Sequence, residues 1–419
     1  MAQLAIIRDL VAHNPNFRRL WLAHLISLGG DWFNQVALLG LVLELTDSAL
    51  NSGLVLAAGI LPQFLFATVS GPVADRFNRK VLMIVSDVAR VLLALGMLLV
   101  RSDENVWIGI LCMAGISAFS AFFQPASGAS LPNLVKPEEL ALANTLMSAS
   151  WGTMLAVGAA LGGWVASSLG RDTAFLLNAG SFALSAFLIV RMNARFSISQ
   201  PATAKPHPLR DITEGFAYAR SDRRLIALLA TKGGFGLGVG VIALLPVLAT
   251  DVFRSTDAGI GILFAARGLG ALLGPFGAAA YVGRNERRLF LALGSAMAVY
   301  GGVYLLVAGM PTLWLAAVFA AVAHLGGGAQ WVLSSYGLQR LTPDYIRGRI
   351  LALDLGLVSL TISVSSLLAG RLADVLDPRT VMTGLAAVEL AYAVVWLTAT
   401  RRLWKRSPES ARALAEESA

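Results

Sequence analysis

Charged side chains stand inside long apolar runs of this chain, where each is costly and therefore a candidate for chemistry. Asp31 lies near the middle of the first run, with Asn34 and Gln35 one helical turn on. An acid at that depth must be neutral, paired or in water, which suits it to carrying a proton or holding a cationic group. Arg267 and His324 lie within later runs, and Glu389 within the last. Asp87 and Arg90 are three apart, a spacing that predicts a local pair on one helix face. Lys232 and Asp354 fall about two turns from one end of their runs. With Asp87 and Arg90 they are the candidates for an inner gate.

Other chemistries lack their residues. Cys112 is the single cysteine, so no disulfide or thiolate cluster forms within the chain. His13, His24, His207 and His324 are scattered without metal-ligand spacing. Gly233-Gly-Phe-Gly236-Leu-Gly238-Val-Gly240 superficially matches a dinucleotide fingerprint, but it lies inside an apolar run with no strand before it. No G-x-x-x-x-G-K-[ST] loop is present, which argues against an ATP-driven pump. No cofactor or metal is implied.

The elements that position these residues must be membrane helices. The 419 residues are 56% hydrophobic and 14% charged, too little charge for a solvated surface. Apolar runs of about 20 residues suit helices crossing a hydrocarbon core about 30 Å thick. The alternation of barrel strands is absent. Twelve spans are predicted at 18–45, 51–74, 81–100, 105–128, 140–168, 172–191, 225–250, 258–282, 288–308, 312–336, 347–373 and 379–400. The start shows no cleavable signal, because Asp31 and Trp32 interrupt the first run and it continues as a full span. Residues 1–13 are too short to span, and Leu4, Ile7 and Leu10 or Val11 share a face that predicts a surface-lying piece.

Basic residues set the orientation. With both ends in the cytoplasm, about 25 lysines and arginines lie inside. Outside remain Arg101, Arg171, Arg254 and Arg379, with Arg371 near that face. Spread one loop at a time, this charge orients a protein in the inner membrane and does not form a nucleic-acid surface. The polar stretch 192–224 divides the chain into halves 1–191 and 225–419. The halves repeat: Gly163, Ala166, Leu169 and Thr173 recur as Gly370, Ala373, Leu376 and Thr380, and Gly71-Pro72 as Gly274-Pro275. Internal six-span repeats are a transporter plan with the site between the halves.

The first loop, Gly71-Pro-Val-Ala-Asp75-Arg76-Phe-Asn-Arg79-Lys80, resembles the hallmark loop of the major facilitator superfamily. Asn78 replaces a usual glycine and also tolerates the left-handed backbone of a tight turn. The resemblance implies that Gly71, Asp75, Arg76, Arg79 and Lys80 clasp the start of span eleven at Arg347-Gly-Arg349. It also implies that this latch favours the outward-facing state. Gly158, Gly162 and Gly163 in span five resemble the family's antiporter motif, with Ala159 where proline is usual. Their spacing allows close helix approach. Phe122-Phe-Gln-Pro125, Leu131-Pro-Asn-Leu134 and Pro343-Asp344 look like the drug, macrolide and siderophore exporter branch, and the likeness covers nearly the whole chain.

That resemblance implies an all-α fold of two six-helix bundles around a cavity lined by spans one, four, seven and ten. Asp31, Asn34, Gln35, Gln124, Arg267 and His324 are then the proton or substrate candidates. The expected partners are a small-molecule substrate, protons and the lipid bilayer, with no nucleic acid, and the expected state is a monomer. Proton-coupled efflux by alternating access is the reading preferred. A metabolite importer, a lysolipid flippase and a receptor or channel scaffold are the alternatives, and a membrane-embedded enzyme lacks a nucleophile or metal constellation.

Overall fold

The computed structural model describes residues 10–193 and 208–404. The surface piece predicted for 1–13 therefore lies mostly outside the described residues, as do the middle of the linker and the tail from 405. Twelve helices among the described residues are long and apolar enough to cross a membrane. Spans one to six are Pro15–Thr46, Ala49–Arg76, Arg79–Gly96, Val106–Ser130, Leu140–Leu169 and Arg171–Val190. The linker helix Pro208–Ser221 follows, then span seven at Arg223–Val252. Spans eight to twelve are Asp257–Val282, Glu286–Gly309, Leu313–Leu341, Asp344–Ala373 and Pro378–Ala399. Twelve crossings bring both described ends to one face, here termed terminal; the opposite face is termed distal.

Polar residues start several spans. Asn14 accepts a hydrogen bond from the Phe17 amide (3.0 Å) just before Pro15 opens span one. Asn78 does not adopt the left-handed backbone that a tight turn would need. Its φ is −61°, and its side chain caps span three by accepting from the Lys80 amide at 3.0 Å. An N-cap oxygen is the stronger demand here, since span three begins one residue later.

Spans one to six pack as one bundle and spans seven to twelve as another. Glycines let the helices close up. In span five, a Cβ at Gly158 or Gly162 would meet Trp32 or the Phe33 backbone of span one. Gly163 on the neighbouring face meets span eight instead. Span five is one unbroken helix through Ala159.

Span seven is not the single helix that its apolar run predicts. It stops at Gly238, resumes over Val241–Val247, and ends in a π-turn at Leu248–Val252. Ser365 of span eleven mends the break: its hydroxyl donates to the Leu237 carbonyl (2.7 Å) and accepts from the Gly240 amide (3.0 Å). A side chain that satisfies freed backbone groups makes such a break tolerable in a membrane. The glycine run earlier set against a nucleotide fingerprint is thus a packing surface. Tyr392 and Thr361 crowd Gly234 and Gly236, and Glu389 and Ser365 lie against Gly238 and Gly240.

Candidate functional site

The intramembrane charges gather into two groups, one inside each bundle. In the first, Arg90 pairs with Asp87, whose other oxygen accepts from Ser185 of span six (2.7 Å). Arg90 also donates to Ser27 of span one (3.2 Å) and Ser120 of span four (3.4 Å). Its guanidinium lies 4.6 and 4.4 Å from the Phe123 and Phe182 ring centres. Asp31 is within electrostatic reach of this pair, and its Oδ1 is enclosed without a hydrogen-bond partner. Asn34 is buried one turn beyond Asp31, its amide 3.7 Å from the Met113 sulfur. Gln35 is half-buried and Gln124 is exposed.

The second group lies among spans seven to twelve. Lys232 pairs with Asp354 of span eleven, donates to Ser335 of span ten (2.9 Å), and sits 4.6 Å from the Trp331 ring centre. Trp331, Phe235 and Tyr300 continue as an aromatic chain, with centroids 6.3 and 5.2 Å apart. Beyond Tyr300, the Tyr304 hydroxyl is 3.0 Å from His324 Nε2. Arg267 is within electrostatic reach of His324 and both tyrosines, and its guanidinium lies 5.6 Å from the Phe264 ring centre. Glu389 is fully buried against Gly238, where a Cβ would meet its carboxylate at 2.7 Å.

Neither of the inner-gate candidate pairs spans the seam between the bundles in this conformation. Asp87–Arg90 ties together spans one, three, four and six, and Lys232–Asp354 ties together seven, ten and eleven. Each pair closes within its own bundle. Desolvation explains this: a charge in hydrocarbon is stable only where its partners are always at hand. The seam between the bundles is apolar and glycine-rich by contrast. Trp32 meets Phe264 across it at 6.2 Å, next to Asp31 and one turn from Arg267.

The seam is sealed at the distal face. Asp374 at the end of span eleven accepts from the Ala49 amide (2.6 Å), the Leu50 amide (3.3 Å) and the Ser48 hydroxyl (3.1 Å) at the start of span two. Arg171 of span six holds Asp257 of span eight through Nε (2.8 Å) and Nη2 (3.1 Å), and Glu44 through Nη1 (2.6 Å). The repeat seen in the sequence reappears here. A Cβ at Gly163 would meet the Asp257 carbonyl at 2.7 Å, and one at Gly370 the Ala49 carbonyl at 2.5 Å. Sequence reasoning read Arg171 only as a topology marker. The available signal was that Gly163 and Gly370 recur with acids or their partners close by.

At the terminal face, Arg79 donates to the Ala129 carbonyl (2.6 Å), and Lys80 to the carbonyls of Val190 (2.9 Å) and Met192 (2.8 Å). These cations fasten the loop to the ends of spans four and six, where helix dipoles favour them. Arg76 is exposed; the Asp75 side chain lies outside the described residues. Arg349 pairs with Glu214 of the linker helix, and Arg347 donates to the Thr342 carbonyl (3.0 Å).

Comparison with known proteins agrees with this architecture. The profile of the transmembrane secretion effector family matches residues 11–415. The multidrug efflux pump Tap of Mycobacterium tuberculosis is 28% identical over 393 residues, covering 88% of this chain and 91% of that protein. Macrolide efflux protein A of Streptococcus pyogenes is 26% identical over 380 residues, covering 85% and 89%. Among solved structures, an inward-facing, unoccupied bacterial homologue of the human lysosomal transporter Spinster superposes with a TM-score of 0.73 at 16% identity, covering 96% of this chain and 99% of that one. A POT family transporter in complex with a thioalcohol-conjugated peptide gives 0.75 at 10% identity, covering 93% and 96%. With a matching family profile from residue 11 to residue 415 and two six-helix bundles, the chain belongs to the transmembrane secretion effector family of major facilitator transporters.

Proposed function

We propose that this transporter exports small amphiphilic molecules in exchange for protons, by alternating access in the bacterial inner membrane, as a monomer with both termini in the cytoplasm. The efflux relatives support the direction and the substrate class. Basic residues concentrated at the terminal face support the orientation. Rigid bundles around a seam suit rocking about the midplane.

One observation carries the coupling: Asp31 of span one has an enclosed, unpartnered oxygen, within electrostatic reach of the Asp87–Arg90 pair and next to Trp32 at the apolar seam. An acid inside the membrane must be neutral, paired or in water, which suits an unpartnered Asp31 to taking up a proton. Substrate in the seam and a proton on this acid are then alternatives. The apolar seam suits an amphiphile, which needs little polar recognition.

The test is flux in proteoliposomes with an imposed pH gradient, after a drug and macrolide screen in cells lacking native exporters identifies a substrate. Asp31→Asn, a fixed mimic of the protonated acid, should abolish uphill transport while leaving downhill exchange within a few-fold of wild type. pH-driven accumulation by the mutant at the wild-type rate removes Asp31 from the coupling.

A further inference from the structure

A groove of about 450 Å³ runs along the outside of the second bundle, between spans eight, nine and ten. It does not open on the seam. Tyr281, Val299, Val322 and Leu325 on its walls are exposed, so it faces the bilayer. From Leu291 to Val299 it follows span nine from the terminal face towards mid-membrane, about 12 Å at helical rise. Its walls are almost wholly apolar, and Ser295 is the single hydroxyl on span nine within it.

The mouth is cationic. The groove-lining face of span nine, Ala292, Ser295 and Val299, begins one turn earlier with Arg288. Arg288 donates to the Tyr281 carbonyl (3.3 Å) and lies 5.6 Å from the Tyr281 ring centre, so it stands over the groove wall. Arg340, from the end of span ten, donates to the Arg284 carbonyl (3.0 Å) and so closes the same rim. The nearest acid, Glu286, is engaged by Arg224 from span seven at 3.5 Å. Arg284, Arg288 and Arg340 are all exposed.

We propose that this groove binds an anionic phospholipid, with an acyl chain along span nine and the phosphate on Arg284, Arg288 and Arg340. Basic pockets between spans are suited to anionic headgroups, and guanidinium forks match phosphate geometry. A zwitterionic lipid fills the same groove but brings its own cation to an arginine rim. The preference therefore comes from the headgroup, while the volume comes from the chain. Neither Asp31 nor the proton chemistry enters this site.

The full-length chain is purified in detergent and mixed with equal amounts of dioleoyl phosphatidylglycerol and dioleoyl phosphatidylcholine, and retained lipid is counted by native mass spectrometry. Wild type should retain phosphatidylglycerol with a preference of about tenfold or more. The triple variant Arg284→Gln/Arg288→Gln/Arg340→Gln should lose that preference while staying folded, because all three side chains are exposed. Ser295→Phe, which fills the groove and leaves the arginines, should lower retention of both lipids. Arg191→Gln/Arg401→Gln/Arg402→Gln, an equal loss of three exposed charges elsewhere on the terminal face, should change nothing. Equal loss in that control would mean a response to overall charge and would overturn the site. So would an unchanged preference in the triple variant, or a dimer mass without lipid, which assigns the groove to a second copy of the chain.

Discussion

At the distal face, Asp374 of the second bundle caps span two of the first, and Arg171 of the first bundle grips Asp257 of the second. At the terminal face, Arg79 and Lys80 give their donors to carbonyls of their own bundle, and Arg349 turns to the linker helix. A Cβ at Gly71 or Gly348 would meet nothing within 4 Å, whereas one at Gly163 or Gly370 would strike the backbone of the other bundle. The difference teaches where this conformation is closed. The distal seal is made between bundles, and the described terminal contacts are made largely within them. A rocking transporter must break the first kind and keep the second.

The strongest way to break the comparison is to deny the backbone approach. Gly370→Leu puts a branched side chain where even a Cβ would stand 2.5 Å from the Ala49 carbonyl, and Gly163→Leu does the same at Asp257. Overpacking of this kind typically costs about 1–3 kcal/mol or more. Both variants should still insert, yet the distal seal should open and transport should fall by tenfold or more. Spin labels at Ser102 and Pro311 should report longer distal distances. A wild-type distance distribution in both variants would mean that these glycines do not limit closure.

Next in size is Arg171→Gln. It leaves Asp257, 5% exposed, without its guanidinium whenever the seal is closed. Removing one partner of a buried pair costs about 3–5 kcal/mol, and less at a face that water can reach. A loss of about 1.4–3 kcal/mol corresponds to a shift of about ten- to a hundredfold towards the distal-open form. The double variant Arg171→Gln/Asp257→Asn should recover part of it, because the stranded charge is gone. No recovery would show that Arg171 acts elsewhere. Asp374→Ala comes third. It removes one cap, worth about 1 kcal/mol, so the shift should be about fivefold.

These residues also mark what was legible in the sequence. The spans were, because apolar length alone decides them: 18–45 became Pro15–Thr46 and 258–282 became Asp257–Val282. Span ten was predicted to end at 336 and runs to Leu341, since a helix can leave the hydrocarbon without stopping. The break in span seven was not legible, because Ser365, which satisfies it, lies 125 residues away from Gly240. The local Asp87–Arg90 pair was read from its i,i+3 spacing. The Arg171–Asp257 and Asp374–Ala49 contacts were missed. Their residues sit at loop edges, where charge is ordinary, and only the fold brings them together.

The smallest effect is expected at the terminal face, and its sign should be opposite. The hallmark loop implies that Asp75 helps to clasp the start of span eleven when the distal side is open. We expect Asp75→Asn to weaken that clasp and so to favour the distally sealed form already adopted here. Where that form dominates, removing its competitor changes populations little, so wild-type distances at Ser102 and Pro311 should hardly move. The effect should emerge in the Arg171→Gln background, where the distal-open form is populated. There Asp75→Asn should restore part of the sealed population, by about twofold to fivefold, and terminal labels at Glu138 and Arg401 should move apart. A shift of the same sign as Arg171→Gln would mean that Asp75 supports the sealed state. The two faces would then be held by one network and not by two opposed ones.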